Sequence, residues 1–395
     1  MKSLTIYGIL LALLASLAGG ISACKKDDTT LSEGLPVVHY VRSTDPGKSD
    51  SLLVGSFMGS LIAIVGENLK STRALWFNDQ QAVLNPAYIT NTTILVNVPS
   101  TVPSEVTDKM RFVTADGSEY LYDFKVNVPA PEITSTKCEY VPDGGTMILY
   151  GDFFFDPKVI FPGDLEGEIT LAEKTKIEVT VPAGAGVGPI TVQTNFGKAK
   201  SRFYFRDDRN IILDYDVKIH ETWTAPIESA NPSGCSGKFA HFKNSANGAW
   251  QWANELTMQY WAPRGRGNVP VAVGSKDDLV FKFECNVPSE WRDVRMEIFF
   301  GPYAEDHGRD LPGTAIARWQ PWKSGPYKTD GWITVSIPLS EFKYGKDDPA
   351  DDPNGTKSLG NLATLTNVTM MLFGPAEGTN PVDIAFDNVR IVPKD

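Results

Sequence analysis

The chain has 395 residues, with 27 Pro, 34 Gly and a formal net charge of −11. That length exceeds what one ordinary core supports and calls for two to four domains. The acidic balance, with no basic run longer than two residues, speaks against a phosphate-binding surface and hence against nucleic acid, and favours a neutral partner. Turn residues separating short Val/Ile/Thr/Phe runs, with almost no apolar repeat at helical spacing, predict an all-β chain.

The N-terminus has Lys2, an apolar core from Ile9 to Leu17, and small residues up to Ile21-Ser22-Ala23-Cys24. Residues 1–23 read as a signal peptide whose apolar run is too short to remain as a membrane-spanning helix. A cysteine directly after Ser22-Ala23 resembles a bacterial lipobox, in which Cys24 becomes the lipidated first residue; the alternative is an ordinary secretory signal with an incidental cysteine. Lys25-Lys26-Asp27-Asp28 resembles the acidic export signal of Bacteroidota lipoproteins. Residues 24–35 are then a lipidated tether, and the expected location is the outer membrane, lipid-anchored and facing the exterior.

Residues 36–128 show short strands at the spacing of an immunoglobulin-like sandwich, including Leu61-Ile62-Ala63-Ile64-Val65 and Thr93-Ile94-Leu95-Val96-Asn97-Val98. Ile64-Val65-Gly66-Glu67-Asn68-Leu69 and the later Ile94-Leu95-Val96-Asn97-Val98-Pro99 resemble the IPT/TIG type of that fold. After the proline linker Pro129-Ala130-Pro131 the pattern repeats over residues 129–206, with Met147-Ile148-Leu149-Tyr150-Gly151-Asp152-Phe153 and Ile177-Glu178-Val179-Thr180-Val181-Pro182 in the corresponding places. Both sandwiches read as spacers. The charged stretch Arg206-Asp207-Asp208-Arg209-Asn210 opens a larger unit, residues 207–395, whose strand count suits a jelly-roll-like β-sandwich.

Eight of the nine tryptophans lie in this last unit. Sugar rings present an apolar C–H face and a rim of hydroxyls, so flat aromatic rings flanked by hydrogen-bonding side chains suit a glycan. The candidate rings are Trp319 and Trp322, in Arg318-Trp319-Gln320-Pro321-Trp322-Lys323; Trp291, after the turn signal Val287-Pro288-Ser289-Glu290; Trp252, Tyr260 and Trp261, beside the loop Pro263-Arg264-Gly265-Arg266-Gly267-Asn268; and Tyr303. Gln320 and Lys323 are candidate rim donors. Trp332 opens a strand and reads as an inward-facing core ring; Trp223 reads as packing. Carboxylates such as Glu297 and Glu341 form no recognisable catalytic pair, and no HExxH, GxSxG or Walker motif is present. The cysteines Cys138, Cys235 and Cys285 have no metal-ligand spacing and read as buried thiols, a Cys235–Cys285 bridge being the alternative. The acidic stretch Asp347-Asp348-Pro349-Ala350-Asp351-Asp352-Pro353-Asn354-Gly355 lacks EF-hand spacing and reads as a solvated turn in preference to a calcium loop. No catalytic residue, metal site or cofactor is expected.

The lipobox with Lys-Lys-Asp-Asp, the two IPT/TIG-like sandwiches, Asp330-Gly331-Trp332-Ile333-Thr334-Val335-Ser336-Ile337-Pro338-Leu339-Ser340-Glu341-Phe342 and the closing Asp383-Ile384-Ala385-Phe386-Asp387-Asn388-Val389-Arg390-Ile391-Val392 together resemble the surface glycan-binding proteins of Bacteroidota polysaccharide utilisation loci, of the SusE-position, xyloglucan- or β-glucan-binding kind. The resemblance implies a non-catalytic, anchored protein that captures a neutral polysaccharide for a porin-like importer complex. A glycoside-active enzyme and a protein adhesin or structural stalk are the competing readings.

Overall fold

The structure is a computed structural model that describes residues 34–48, 51–217, 225–244, 269–301, 309, 311–349, 352–375 and 380–394. It is all-β: among the described residues the helical turns are 3-10 turns of three or four residues. The chain divides into two compact units, Met1–Pro129 and Ala130–Asp395.

The first unit contains β1 (Val37–Ser43), β2 (Gly55–Phe57), β3 (Leu61–Glu67), β4 (Thr72–Phe77), β5 (Gln80–Gln81), β6 (Thr93–Asn97), β7 (Lys109–Thr114), β8 (Glu119–Asp123) and β9 (Lys125–Asn127). A sheet ordered β1-β3-β6 and another ordered β5-β4-β7-β8 form a sandwich, with β2 and β9 paired in parallel. Residues such as Ile64, Leu75, Phe77, Ile94, Met110 and Phe112 fill its core. The period of two decides which side chains go in: in β6, Ile94 and Val96 are buried while Thr93, Leu95 and Asn97 are not.

The second unit begins with β10 (Glu132–Thr136), β11 (Thr146–Asp152), β12 (Lys158–Phe161), β13 (Leu165–Ala172), β14 (Lys176–Thr180), β15 (Gly188–Thr194) and β16 (Gly197–Phe205), ordered β10-β11-β14-β13-β12-β15-β16 around a core of its own. The sequence repeat has a physical basis. In the first sandwich a Cβ on Gly66 would lie 1.9 Å from the Val37 carbonyl oxygen; in the second, one on Gly151 would lie 1.8 Å from that of Glu132. Each glycine lets an edge strand bulge across its neighbour, and each is followed two residues later by a left-handed residue, Asn68 or Phe153.

The C-terminal sandwich comprises β17 (Ile211–Leu213), β18 (Ile227–Glu228), β19 (Phe239–Asn244), β20 (Leu279–Asn286), β21 (Arg295–Gly301), β22 (Ile316–Trp319), β23 (Ile333–Pro338), β24 (Asn367–Phe373) and β25 (Val382–Pro393). One sheet runs β18-β19-β25-β20-β23, with β17 on β25; the other runs β22-β21-β24. Phe281, Phe283, Cys285, Ile384 and Phe386 from the first sheet meet Met296, Ile298, Phe300, Met370 and Leu372 from the second. Cys285 belongs to this core and Cys235 to that of the second sandwich, and all three described cysteines are buried free thiols.

The larger sheet is buried on its outer face as well, where it meets the second sandwich, so β20 and β25 carry charge inside the molecule. The Arg390 guanidinium donates Nη2 to Glu139 Oε2 at 2.6 Å and Nη1 to Glu284 Oε2 at 2.7 Å, while Lys282 Nζ donates to Glu139 Oε1 at 2.9 Å. All four side chains are essentially inaccessible. Two cations against two carboxylates leave the cluster neutral. Burial pushes the Glu284 carboxyl up against the pull of Arg390. At Arg390 burial acts to lower the guanidinium, but Glu284 and Glu139 outweigh it and hold it well above its ordinary value. The backbone adds to the same join: the Thr334 amide donates to the Lys137 carbonyl at 3.0 Å, and the Glu139 amide to Thr334 Oγ1 at 2.7 Å. Tyr140 Oη donates to the Asp207 carbonyl at 2.7 Å, and Arg209 clamps the Asp207 carboxylate. The charged stretch at 206–210 is therefore a fastened junction, and the second sandwich is docked on the C-terminal one.

Two outcomes follow from these buried charges. Glu139→Ala leaves Arg390 and Lys282 short of a counter-charge and costs about 3–5 kcal/mol, read by urea unfolding. Burial raises the Asp387 carboxyl from 3.8 to about 7. The native state then holds a proton that the unfolded chain releases, so stability falls as pH climbs through that window, by an amount on the order of 4 kcal/mol at most. Unfolding midpoints of Asp387→Asn are expected to fall less over the same pH range.

Candidate glycan-binding site

The aromatic stretch 318–332 separates into a ring cluster and a strand. Along β22, Ala317 and Trp319 face the core while Ile316 and Arg318 face outward. Trp319 therefore lies edge-on against Phe283 at 5.4 Å, Trp291 at 5.2 Å and Tyr327 at 6.0 Å between ring centroids. Pro321 then opens the 3-10 turn Pro321–Ser324, which brings Trp322 back so that its Nε1 donates to the Val294 carbonyl at 2.7 Å. Trp319, Trp322 and Tyr327 are half-buried on this core; Gln320 is half-buried and Lys323 exposed.

Two sequence expectations are corrected here. Trp291, expected as a surface ring because it follows a turn, is wholly buried. Its amide donates to the Tyr327 carbonyl at 2.8 Å and its carbonyl accepts from the Tyr327 amide at 3.1 Å. That two-residue bridge turns the chain back over the core and takes the ring inside. Trp332 is half-buried and packs on the core of the second sandwich, not on that of its own domain. On β23, Val335 and Ile337 bury inward, which puts Trp332, Thr334 and Ser336 on the opposite face. Trp332 Nε1 donates to the Ser233 carbonyl at 2.6 Å, and its ring meets Phe239 edge-on at 5.4 Å. Trp252, Tyr260, Trp261, Tyr303, Trp223 and Cys24 lie outside the described residues.

The outer face of the β22-β21-β24 sheet carries a group that sequence reading missed. Glu297, fully buried, accepts from Arg295 Nε at 2.8 Å and Arg309 Nε at 3.0 Å, and Arg318 Nε lies 3.5 Å away. The Arg318 guanidinium stacks over Tyr344 at 4.6 Å, and that of Arg309 over Phe373 at 4.5 Å. Burial lowers Arg318 from its ordinary value against the opposing pull of Glu297. Arg318 also donates to the carbonyls of Gly345, Asp348 and Pro349 at 3.2, 2.7 and 2.6 Å. The acidic loop thus turns two of its carbonyl oxygens, those of Asp348 and Pro349, toward a guanidinium, an arrangement unlike the all-oxygen shell that calcium takes. The visible signal was the Arg-x-Glu alternation of Arg295 and Glu297, one face of one strand. Among the described residues no group of His, Cys, Asp and Glu is arranged to hold a metal.

A two-sheet β-sandwich rich in aromatic rings, carried behind immunoglobulin-like domains, suits a carbohydrate-binding protein. Residues 205–393 match the family model described as the surface glycan-binding protein B xyloglucan binding domain. An IPT/TIG domain-containing protein of Bacteroides ovatus is 30% identical, with 95% of each chain covered. The crystal structure of the surface glycan-binding protein PbSGBP-B from Prevotella bryantii is 28% identical with a TM-score of 0.71, covering 92% of this chain and 100% of that one. The chain belongs to the IPT/TIG-containing surface glycan-binding proteins of the B type, and its function is to bind glycan at the cell surface.

The ring cluster ranks its own members. Trp291→Ala is expected to cost about 3–5 kcal/mol through the cavity it leaves. Trp322→Phe keeps most of the packing but loses the bond to Val294, and is expected to cost about 1 kcal/mol. Urea unfolding of the two variants measures the difference.

Proposed function

We propose that the C-terminal domain binds a neutral hemicellulose of the xyloglucan type and retains it, without cleaving it, for an adjacent porin-like importer complex. The observation that carries the ligand class is the match of residues 205–393 to a domain described as xyloglucan-binding. The net charge of −11 agrees with a neutral polymer. Because Trp291 is sealed in the core and Trp319 and Trp322 have their edges committed to it, the last two offer at most part of a ring face. We assign stacking on the sugar to Trp319 and Trp322 together with Trp252, Tyr260, Trp261 and Tyr303. Lipid on Cys24 and the tether 24–35 anchor the chain to the outer face of the outer membrane, and residues 36–128 and 129–206 are its two IPT/TIG-type sandwiches.

Calorimetry and affinity electrophoresis against xyloglucan, mixed-linkage glucan and galactomannan test this. Xyloglucan is expected to bind tightest with no release of reducing ends. Tyr260→Ala with Trp261→Ala is expected to weaken binding at least tenfold, about 1.4 kcal/mol, without shifting the unfolding midpoint. Failure of all three polymers to bind, or release of reducing ends, overturns the reading. Cys24→Ala is expected to move the protein out of the outer-membrane fraction, and unchanged fractionation would refute the anchor.

A further inference from the structure

We infer that the seam between the second sandwich and β23 is a second carbohydrate-binding cleft, which takes a further stretch of the same neutral polysaccharide. The inference rests on the glycan-binding reading above and assigns a site apart from the ring cluster at Trp319 and Trp322.

Two cavities lie in succession along this seam. One, of about 290 Å³, is lined by Lys137, Tyr140, Thr146, Ser233, Asp330 and Trp332 among others. The next, of about 310 Å³, is lined by Thr134, Ser135, Thr136, Arg202, Thr334 and Ser336 with Glu139 and Phe203. They have no lining residue in common but follow the same two segments in order: Lys137 pairs with Asp330, its carbonyl accepts from the Thr334 amide between the two cavities, and 134–136 line the second cavity with 334 and 336. The seam therefore runs along one face of β23, past Trp332, Thr334 and Ser336, and from Trp332 to Ser336 it spans about 13 Å by strand rise, longer than one pyranose ring.

Its chemistry is that of sugar recognition. A half-buried indole, held in place through its N–H on Ser233 and its edge on Phe239, stands at one end. At the other end the hydroxyls of Thr134, Thr136 and Thr334 are bonded to Tyr150, Ile148 and Glu284, so the groups that face a rim of sugar hydroxyls are Ser135, Ser336 and the exposed Arg202. At the indole end the Lys137–Asp330 pair at 3.3 Å sets two opposite charges together, which suits a neutral ligand. The walls are also preorganised: Glu139, Lys282, Glu284 and Arg390 fix β23's sheet against the second sandwich, so binding orders little that is not already ordered.

The test uses the full chain and short xyloglucan oligosaccharides in calorimetry. Wild type is expected to bind two per chain, and Ser336→Tyr, a cleft-filling change at an exposed position, is expected to bind one. Trp332→Ala is expected to do the same; because it also removes packing, Ser336→Tyr carries the test if Trp332→Ala fails to fold. Polymer affinity is expected to drop three- to tenfold in either variant. A chain with Tyr260→Ala and Trp261→Ala is expected to retain binding at the cleft, and adding Ser336→Tyr to abolish it. One oligosaccharide per wild-type chain, with polymer affinity unchanged in Ser336→Tyr, overturns the second cleft and leaves the principal site standing. Absence of all glycan binding by wild type overturns both.

Discussion

The arrangement of the second compact unit depends on one buried guanidinium. Arg390 reaches from β25 to Glu284 on β20 and to Glu139 on the second sandwich, and Lys282 completes the square on Glu139. Desolvating four charges is costly, and the cluster is tolerable only because each charge meets an opposite one at hydrogen-bond distance. An apolar interface would tolerate sliding by a residue or two; this one does not, since a shift along β25 of a single residue would turn Arg390 to the other face of the sheet. The charges thus set register, while the apolar clusters on either side supply most of the stability.

The same constraint explains why the larger sheet does not look like an ordinary half-exposed sheet in sequence. Along β20, Phe281, Phe283 and Cys285 fill the sandwich core, and the intervening Lys282 and Glu284 read as solvent-facing residues under simple alternation. They are instead buried beneath a neighbouring sandwich. Sequence patterning reports which face of a strand is apolar. It does not report what lies on the polar face, because a solvated Lys/Glu pair and a desolvated one carry the same letters.

What was legible follows from this. The two sandwiches could be read because a glycine at the same point of each repeat, Gly66 and Gly151, answers a steric demand that no other residue meets. The alternation in β6 and β14 reads equally well, since each strand has one core to face. The rings were harder. Turn residues before Trp291 say that the chain reverses, but not that its bridge to Tyr327 folds the ring under the reversal. The strand pattern of Trp332 points to a core, and the ring does meet one, but that of the preceding sandwich. The Glu297 cluster draws on residues 295, 309 and 318, and only the three-dimensional pairing of β21 with β22 brings two of them together.

Aromatic content alone therefore overstates a binding platform. An indole contributes both a large apolar area and a single N–H, and in this domain Trp322 and Trp332 each spend that N–H on a backbone carbonyl. A ring anchored in this way loses rotamer freedom before any ligand arrives, so a sugar stacking on its remaining face pays less ordering entropy than one that must immobilise a free side chain. Structural anchoring and ligand contact are then compatible for a half-buried ring and incompatible for a sealed one. That criterion separates Trp319, Trp322 and Trp332 from Trp291, and rests on burial and hydrogen bonding rather than on the number of tryptophans.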